Sequence, residues 1–161
     1  MQTNVVYSGI DAAPLAHLFG KTDAQLRALG ARRMVADAHS GFPCRVTLRE
    51  AASGQTVILA AFEHQSAHSP YRASGPIFVI EGSSAAARFE NEVPPVVRTR
   101  LISVRAYDKD DLIVDAEVVE GAVIEPVIAR MFADARVRYL HLHNARRGCF
   151  SCRVDRAEQV V

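Results

Sequence analysis

The sequence predicts one α+β domain over 1–161, with a mostly antiparallel or mixed sheet of about six to eight strands, one main amphipathic helix packed on it, and short N-terminal helices. Three observations lead there. Several segments alternate apolar and polar residues at the period of a half-buried strand. Val123, Ile124, Val127, Ile128, Met131 and Phe132 recur at helical spacing. Finally, 161 residues that are 49% hydrophobic suffice for one core that buries roughly two thirds of the unfolded surface, without a disulfide or structural metal.

The elements follow in order. Asn4 to Ile10 reads as a short extended segment, and Asp11 caps a brief helix that turns Leu15, Leu18 and Phe19 to one side. Thr22 and Gln25 match a capping box, with Leu26 and Leu29 apolar and Gly30 ending the turn. Arg32 to Ala36 is a strand. Cys44 to Arg49 is read as another, because Cys44, Val46 and Leu48 alternate with Arg45, Thr47 and Arg49. Thr56 to Phe62 and Ile77 to Ile80 are apolar on both faces, which places both in the middle of a sheet, joined by a polar loop from Glu63 to Gly75. Gly82 to Pro95 is loose. Leu101 to Tyr107 is a strand with Ile102, Val104 and Ala106 on one face, and after a turn at Lys109 to Asp111 the residues Leu112, Val114, Ala116 and Val118 alternate along the next. The main helix tolerates Pro126 in its first turn. Val137 to His143 and Cys149 to Val154 are the last strands, joined by Asn144 to Gly148.

Composition excludes several functions. With 19 basic and 18 acidic residues the net charge is +1, which removes the electrostatic basis for nucleic-acid or anionic-membrane binding. Seventeen of the basic residues are arginines, whose planar forks suit carboxylate and phosphate. No apolar run reaches the length of about 20 residues that a membrane helix needs. Met1 to Gly20 shows no secretory pattern and the cysteine count is odd, so the expected address is a reducing cytoplasm. No phosphate-binding loop, dinucleotide fingerprint, nucleophile elbow, zincin motif or calcium loop occurs.

Three strings stand apart from ordinary surface sequence: Glu63-His64-Gln65 leading to Ser69 through Pro76, then Arg105-Ala106-Tyr107-Asp108, and His141 through Cys149. Together with the run from Gly41 to Glu50, they resemble a bacterial family catalogued as domain of unknown function family 1203, over about Gly9 to Ala157. That resemblance carries no reaction, cofactor or catalytic residue, so the chemistry rests on the side chains. The leading expectation is that the strand-end loops converge into one polar pocket for a small anionic molecule. In it His64, His141, His143 and Asp108 are the acid–base candidates, and Tyr71, Arg72, Asn144 and Arg146 bind the ligand.

Two alternatives are kept. In one, the polar strings are a structural network serving a protein partner or a homodimer. In the other, His141 and His143, which share a strand face, hold a divalent metal with a third ligand from His64, Glu63 or Asp108; otherwise no cofactor is predicted. Arg146 and Arg147 oppose a cation there by charge. Cys149 and Cys152 have the C-x-x-C spacing but fall on opposite faces of a strand, which leaves Cys149 as a candidate nucleophile paired with His141 or His143.

Overall fold

The computed structural model describes residues 3–37 and 41–158. Its strands are β1 (Val5–Ser8), β2 (Arg32–Val35), β3 (Thr56–Gln65), β4 (Ala73–Ile80), β5 (Arg88–Glu90), β6 (Leu101–Tyr107), β7 (Ile113–Glu120), β8 (Tyr139–Asn144) and β9 (Phe150–Arg156). Three α-helices accompany them: α1 (Asp23–Ala28), α2 (Pro95–Arg98) and α3 (Glu125–Ala133). A six-stranded sheet has the order β5-β1-β9-β8-β6-β7, and a three-stranded one the order β2-β3-β4. Every pairing between these strands is antiparallel, and the result is a single α+β domain.

Each sheet has its own core. On the large sheet Ile102, Val104 and Ala106 of β6, Leu140 and Leu142 of β8, and Cys152 and Val154 of β9 are all 0% exposed. They pack against Val127, Ile128, Met131 and Phe132 of α3, so the helical and strand periods read from the sequence meet in one cluster. The small sheet buries Ile58, Ala60, Ile77 and Val79 against Leu15, Leu18 and Leu26 of the N-terminal helical turns. Those turns start where the sequence places them. Asp11 Oδ1 accepts from the Ala13 N–H at 2.9 Å, and Thr22 and Gln25 form a reciprocal capping box.

Several expectations are corrected. Cys44–Arg49 is a buried turn, closed by Leu48 N–H to Cys44 O and Cys44 N–H to Arg49 O, each 2.9 Å, with Leu48 at φ 54°. Cys44, Val46 and Leu48 are buried as the alternation requires, but Arg45 is buried too. The turn lies between structural layers: Arg45 N–H bonds Phe78 O of β4, while Arg45 O and Val46 O accept from Ile10 and Ala87. Of the two strands expected at a sheet centre, β3 is central, whereas β4 is an edge strand covered by this turn through the Cys44–Phe78 bridge. The loop read as Glu63 to Gly75 shrinks to residues 66–72, because β3 and β4 continue their pairing into it. The stretch read as loose contains β5. On β7 the expected alternation holds only in part: Val114 packs on the core as expected, but Leu112 and Val118 are exposed, and Val119, of the opposite phase, packs there instead. A bulge between Ala106 and Tyr107 shifts this edge strand's register.

Candidate functional site

The face of the large sheet turned away from α3 carries most of the candidate acid–base residues. Antiparallel register sets Ser103 opposite His143, Arg105 opposite His141 and Tyr107 opposite Tyr139. Because side chains alternate, the residues between them fill the α3 core while these six share the other face. β8 is flanked on both sides, by β6 and β9, and the end of β3 comes down over it. His64 stacks on Phe150 at a centroid distance of 5.5 Å and meets the His143 ring edge-on at 5.0 Å. His141 lies among Tyr107, Tyr139 and Phe150 at 5.0 to 5.2 Å. Gln65 Nε2 donates to Tyr139 Oη at 3.0 Å, and that hydroxyl donates to Asp111 Oδ1 at 2.5 Å, which ties β3 to the turn after β6.

Burial determines the charge state of these rings. His141 is 4% exposed and His143 1%. Loss of solvent, followed by repulsion from His143, Arg153, His64 and Arg105, pushes His141 down to about 3. His143 is pushed down to about 4 by burial first, with Arg105, His64 and Arg45 adding to it and a bond to Gly148 opposing. His64 is lowered as well, by burial and then by Arg105. All three are therefore neutral near pH 7. Gly148 O accepts from His143 Nδ1 at 2.9 Å, which fixes the proton there and leaves Nε2 as a lone pair. That Nε2, with Nδ1 of His64 and of His141, is buried without a hydrogen-bond partner. Among the described residues no group of three or more His, Cys, Asp or Glu is arranged to hold a metal ion.

The other expected site residues go elsewhere. Tyr71 stays at the rim, edge-on to Tyr107 at 6.1 Å. Asp108 is occupied in its own turn, where Oδ1 accepts from the Asp110 and Leu112 backbone at 2.9 and 3.0 Å; these bonds, Leu112 first, hold its carboxyl below the usual range. Arg72 forks onto Glu63 at 3.2 Å with both side chains well exposed. Such a pair is worth less than about 1 kcal/mol. Arg72→Ala is expected to lower the unfolding free energy from urea titration by no more than that; a large loss of stability would mean that the pair braces the loop.

Asn144 and Arg146 lie on the far side of the β8–β9 connection, where a cavity of about 510 Å³ opens between the two sheets. Its apolar wall is Leu59, Pro76, Ile77, Phe78 and Leu101; its polar wall includes Arg45, Arg100, Asn144, Arg146, Arg147 and Cys149. Among the described lining residues there are four arginines and one carboxylate, Glu120. Arg100 is ion-paired with Glu50. Arg146 and Arg147 are exposed and have no hydrogen-bond or ion-pair partner among the described residues. Arg45 is 2% exposed; it donates to Phe150 O at 2.8 Å, Pro43 O at 2.6 Å and Cys149 Sγ at 3.2 Å. The thiol's partners are Arg45 and Asn144, so neither His141 nor His143 forms the expected pair with it.

The family described as Protein of unknown function (DUF1203) matches residues 41–156. The chain belongs to that family. No curated protein and no solved structure matches it. In this DUF1203 member the matched span contains the whole imidazole cluster and every described residue lining the cavity, while β1, the N-terminal helical turns and β2 lie before it.

Two residues of the candidate site escape sequence reasoning. Among the described residues Arg105 has Ser103 Oγ, at 3.4 Å, as its one hydrogen-bond partner, and no carboxylate pairs with it. Arg45 reads from the alternation as the wet side of a strand. Both had a sequence signal only in belonging to the unusual strings; nothing local marks a guanidinium that folding leaves without a counter-charge.

Proposed function

We propose that the protein binds a small anionic molecule, a carboxylate or phosphate, in the arginine-lined cavity between the sheets. The observation that supports this reading is the charge imbalance of the wall: with Arg100 paired to Glu50, three guanidinium groups remain against Glu120, and Arg146 and Arg147 have no partner among the described residues. Asn144 adds an amide, and the apolar wall fits the organic part of such a ligand. The histidines serve this site by shape: His143 anchors Gly148, and the ring cluster behind it braces the loop that carries Arg146 and Arg147. All three cysteines are free thiols, in keeping with a reducing, cytoplasmic setting. No helix among the described residues is long and apolar enough to cross a membrane.

The test is a thermal-shift titration with inorganic phosphate and with succinate, against chloride at matched ionic strength. Saturation is expected to raise Tm by about 5 °C for at least one of the two. The rise should vanish in the Arg146→Ala/Arg147→Ala double variant. Stabilisation that persists in the double variant, or that never exceeds the chloride control, overturns the proposal.

A further inference from the structure

The small sheet is apolar on both faces, yet only one of them is packed. Ile58, Ala60, Ile77 and Val79 turn the first into the core beneath the N-terminal helical turns. An antiparallel sheet with one packed face commonly presents polar residues on the other. Here Leu59 and Phe78, register partners across β3 and β4, stand on that other face with Pro76, and all three line the cavity between the sheets. None of the three is buried. The open space in front of them, about 510 Å³, equals about seventeen waters at about 30 Å³ each, far more than inorganic phosphate fills.

The free charge of the cavity lies elsewhere. Arg45 is partnered by Phe150 O, Pro43 O and Cys149 Sγ, and Arg100 by Glu50. That leaves Arg146 and Arg147, exposed on the β8–β9 connection and without a partner among the described residues. Glu120 in the same lining offsets one of those two charges, which suits a monoanion better than a dianion. Leu101 joins the two regions, because its carbonyl accepts from the Ala145 N–H at 2.9 Å while its side chain continues the apolar wall.

We propose that the cavity takes an amphipathic monocarboxylate, a single carboxylate head on an apolar body of about six to ten carbons. The head meets Arg146 and Arg147 on the solvent side, and the body covers Leu59, Pro76, Phe78 and Leu101. The charged end rests on the anion-binding reading of this cavity; the apolar end rests on the unpacked sheet face and the volume before it. Each methylene taken from water onto that face tightens binding about threefold. A second charge at the far end of the ligand would be set against side chains that offer it no donor.

The experiment titrates intact, isotope-labelled protein at neutral pH with butanoate, hexanoate, octanoate, octanedioate and octanamide, and follows the backbone amide resonances by NMR. Kd is expected to fall about threefold for each added methylene, and so about a hundredfold from butanoate to octanoate, with shifts at Leu59, Phe78 and Leu101. Octanedioate, which carries a second carboxylate at the far end, should bind about tenfold more weakly than octanoate, and so should the uncharged octanamide. Arg146→Ala/Arg147→Ala should weaken butanoate and octanoate by the same factor. Leu59→Ser should weaken octanoate about tenfold and leave butanoate unchanged; if that variant does not fold, the wild-type series decides. Equal affinities for butanoate and octanoate, or for octanoate and octanedioate, overturn the apolar body and leave the anion-binding reading standing. Octanamide as tight as octanoate overturns the charged head, and that reading with it. No response to any of these probes overturns both.

Discussion

Acidification from pH 7 to pH 5 is expected to destabilise the protein by about 4 kcal/mol, measured as unfolding free energy from urea titrations across that range. The effect comes from His141 and His143. Folded, they are held down to about 3 and about 4, chiefly by loss of solvent among Tyr107, Tyr139, Phe150 and His64, with Arg45, Arg105 and Arg153 adding repulsion. Unfolded, both titrate near 6.5. Stability is therefore complete above about 6.5 and is lost as the pH falls from there toward the folded values, because the unfolded chain takes up protons that the folded one refuses. Both folded values lie far enough below 5 that the unfolded value sets the size, about 2 kcal/mol for each ring. His64 is lowered in the same direction and adds to the slope. His141→Phe keeps an aromatic ring in the cluster and is expected to remove about half of it. Equal stability at pH 7 and pH 5 would show that these rings are hydrated in solution.

Gly9→Ala is the second large effect, with an expected loss of about 3 kcal/mol or more. A Cβ at Gly9 would stand 2.1 Å from Val46 O and 2.9 Å from Val46 C. Neither atom is the end of a flexible side chain. Val46 O is already bonded to Ala87 N at 2.8 Å, Gly9 N donates to Ala87 O at 2.9 Å, and Ile10 N donates to Arg45 O at 2.9 Å, so three backbone segments are locked together there. The substitution has to push the Cys44–Arg49 turn outward, and with it Arg45. The variant should lose urea resistance. Gly75→Ala is the control: a Cβ there meets nothing within 4 Å, and its stability should stay within about 0.5 kcal/mol of the parent. Wild-type stability in Gly9→Ala would mean that this backbone junction can move apart freely.

Much of the scaffold is legible in local pattern, and the reason differs by element. Ile102, Val104 and Ala106 bury one strand face, and Val127, Ile128, Met131 and Phe132 one helix face, because period 2 and period 3.6 are properties of the backbone that any core must respect. The same logic misreads Cys44–Arg49. Its alternation is genuine, yet the turn has neighbours on both sides, and Arg45 is buried along with the apolar residues. On β7 a bulge opposite Ala106 and Tyr107 changes the phase partway along the strand, so one alternation cannot describe both ends, and no residue type in that stretch announces it.

The site divides in the same way. The unusual strings mark the three histidines, Arg105, Asn144, Arg146, Arg147 and Cys149 but miss Arg100, Glu120, Tyr139 and Phe150, and the shared face of His141 and His143 follows from strand geometry alone. Their environment does not. Whether that face meets water or another layer depends on β3 folding over β8, a contact between chain-distant segments for which sequence spacing carries no information. By itself, then, the sequence determined the α+β class, the periodic elements and the set of polar side chains, since each depends on residues a few positions apart. Tertiary structure alone decided that the imidazoles are buried and neutral, that Asp108 and Arg72 are occupied locally, and that Arg45, Arg146 and Cys149 share one cavity. Desolvation and charge pairing depend on what lies across a gap between sheets, and only the packed chain supplies that neighbour.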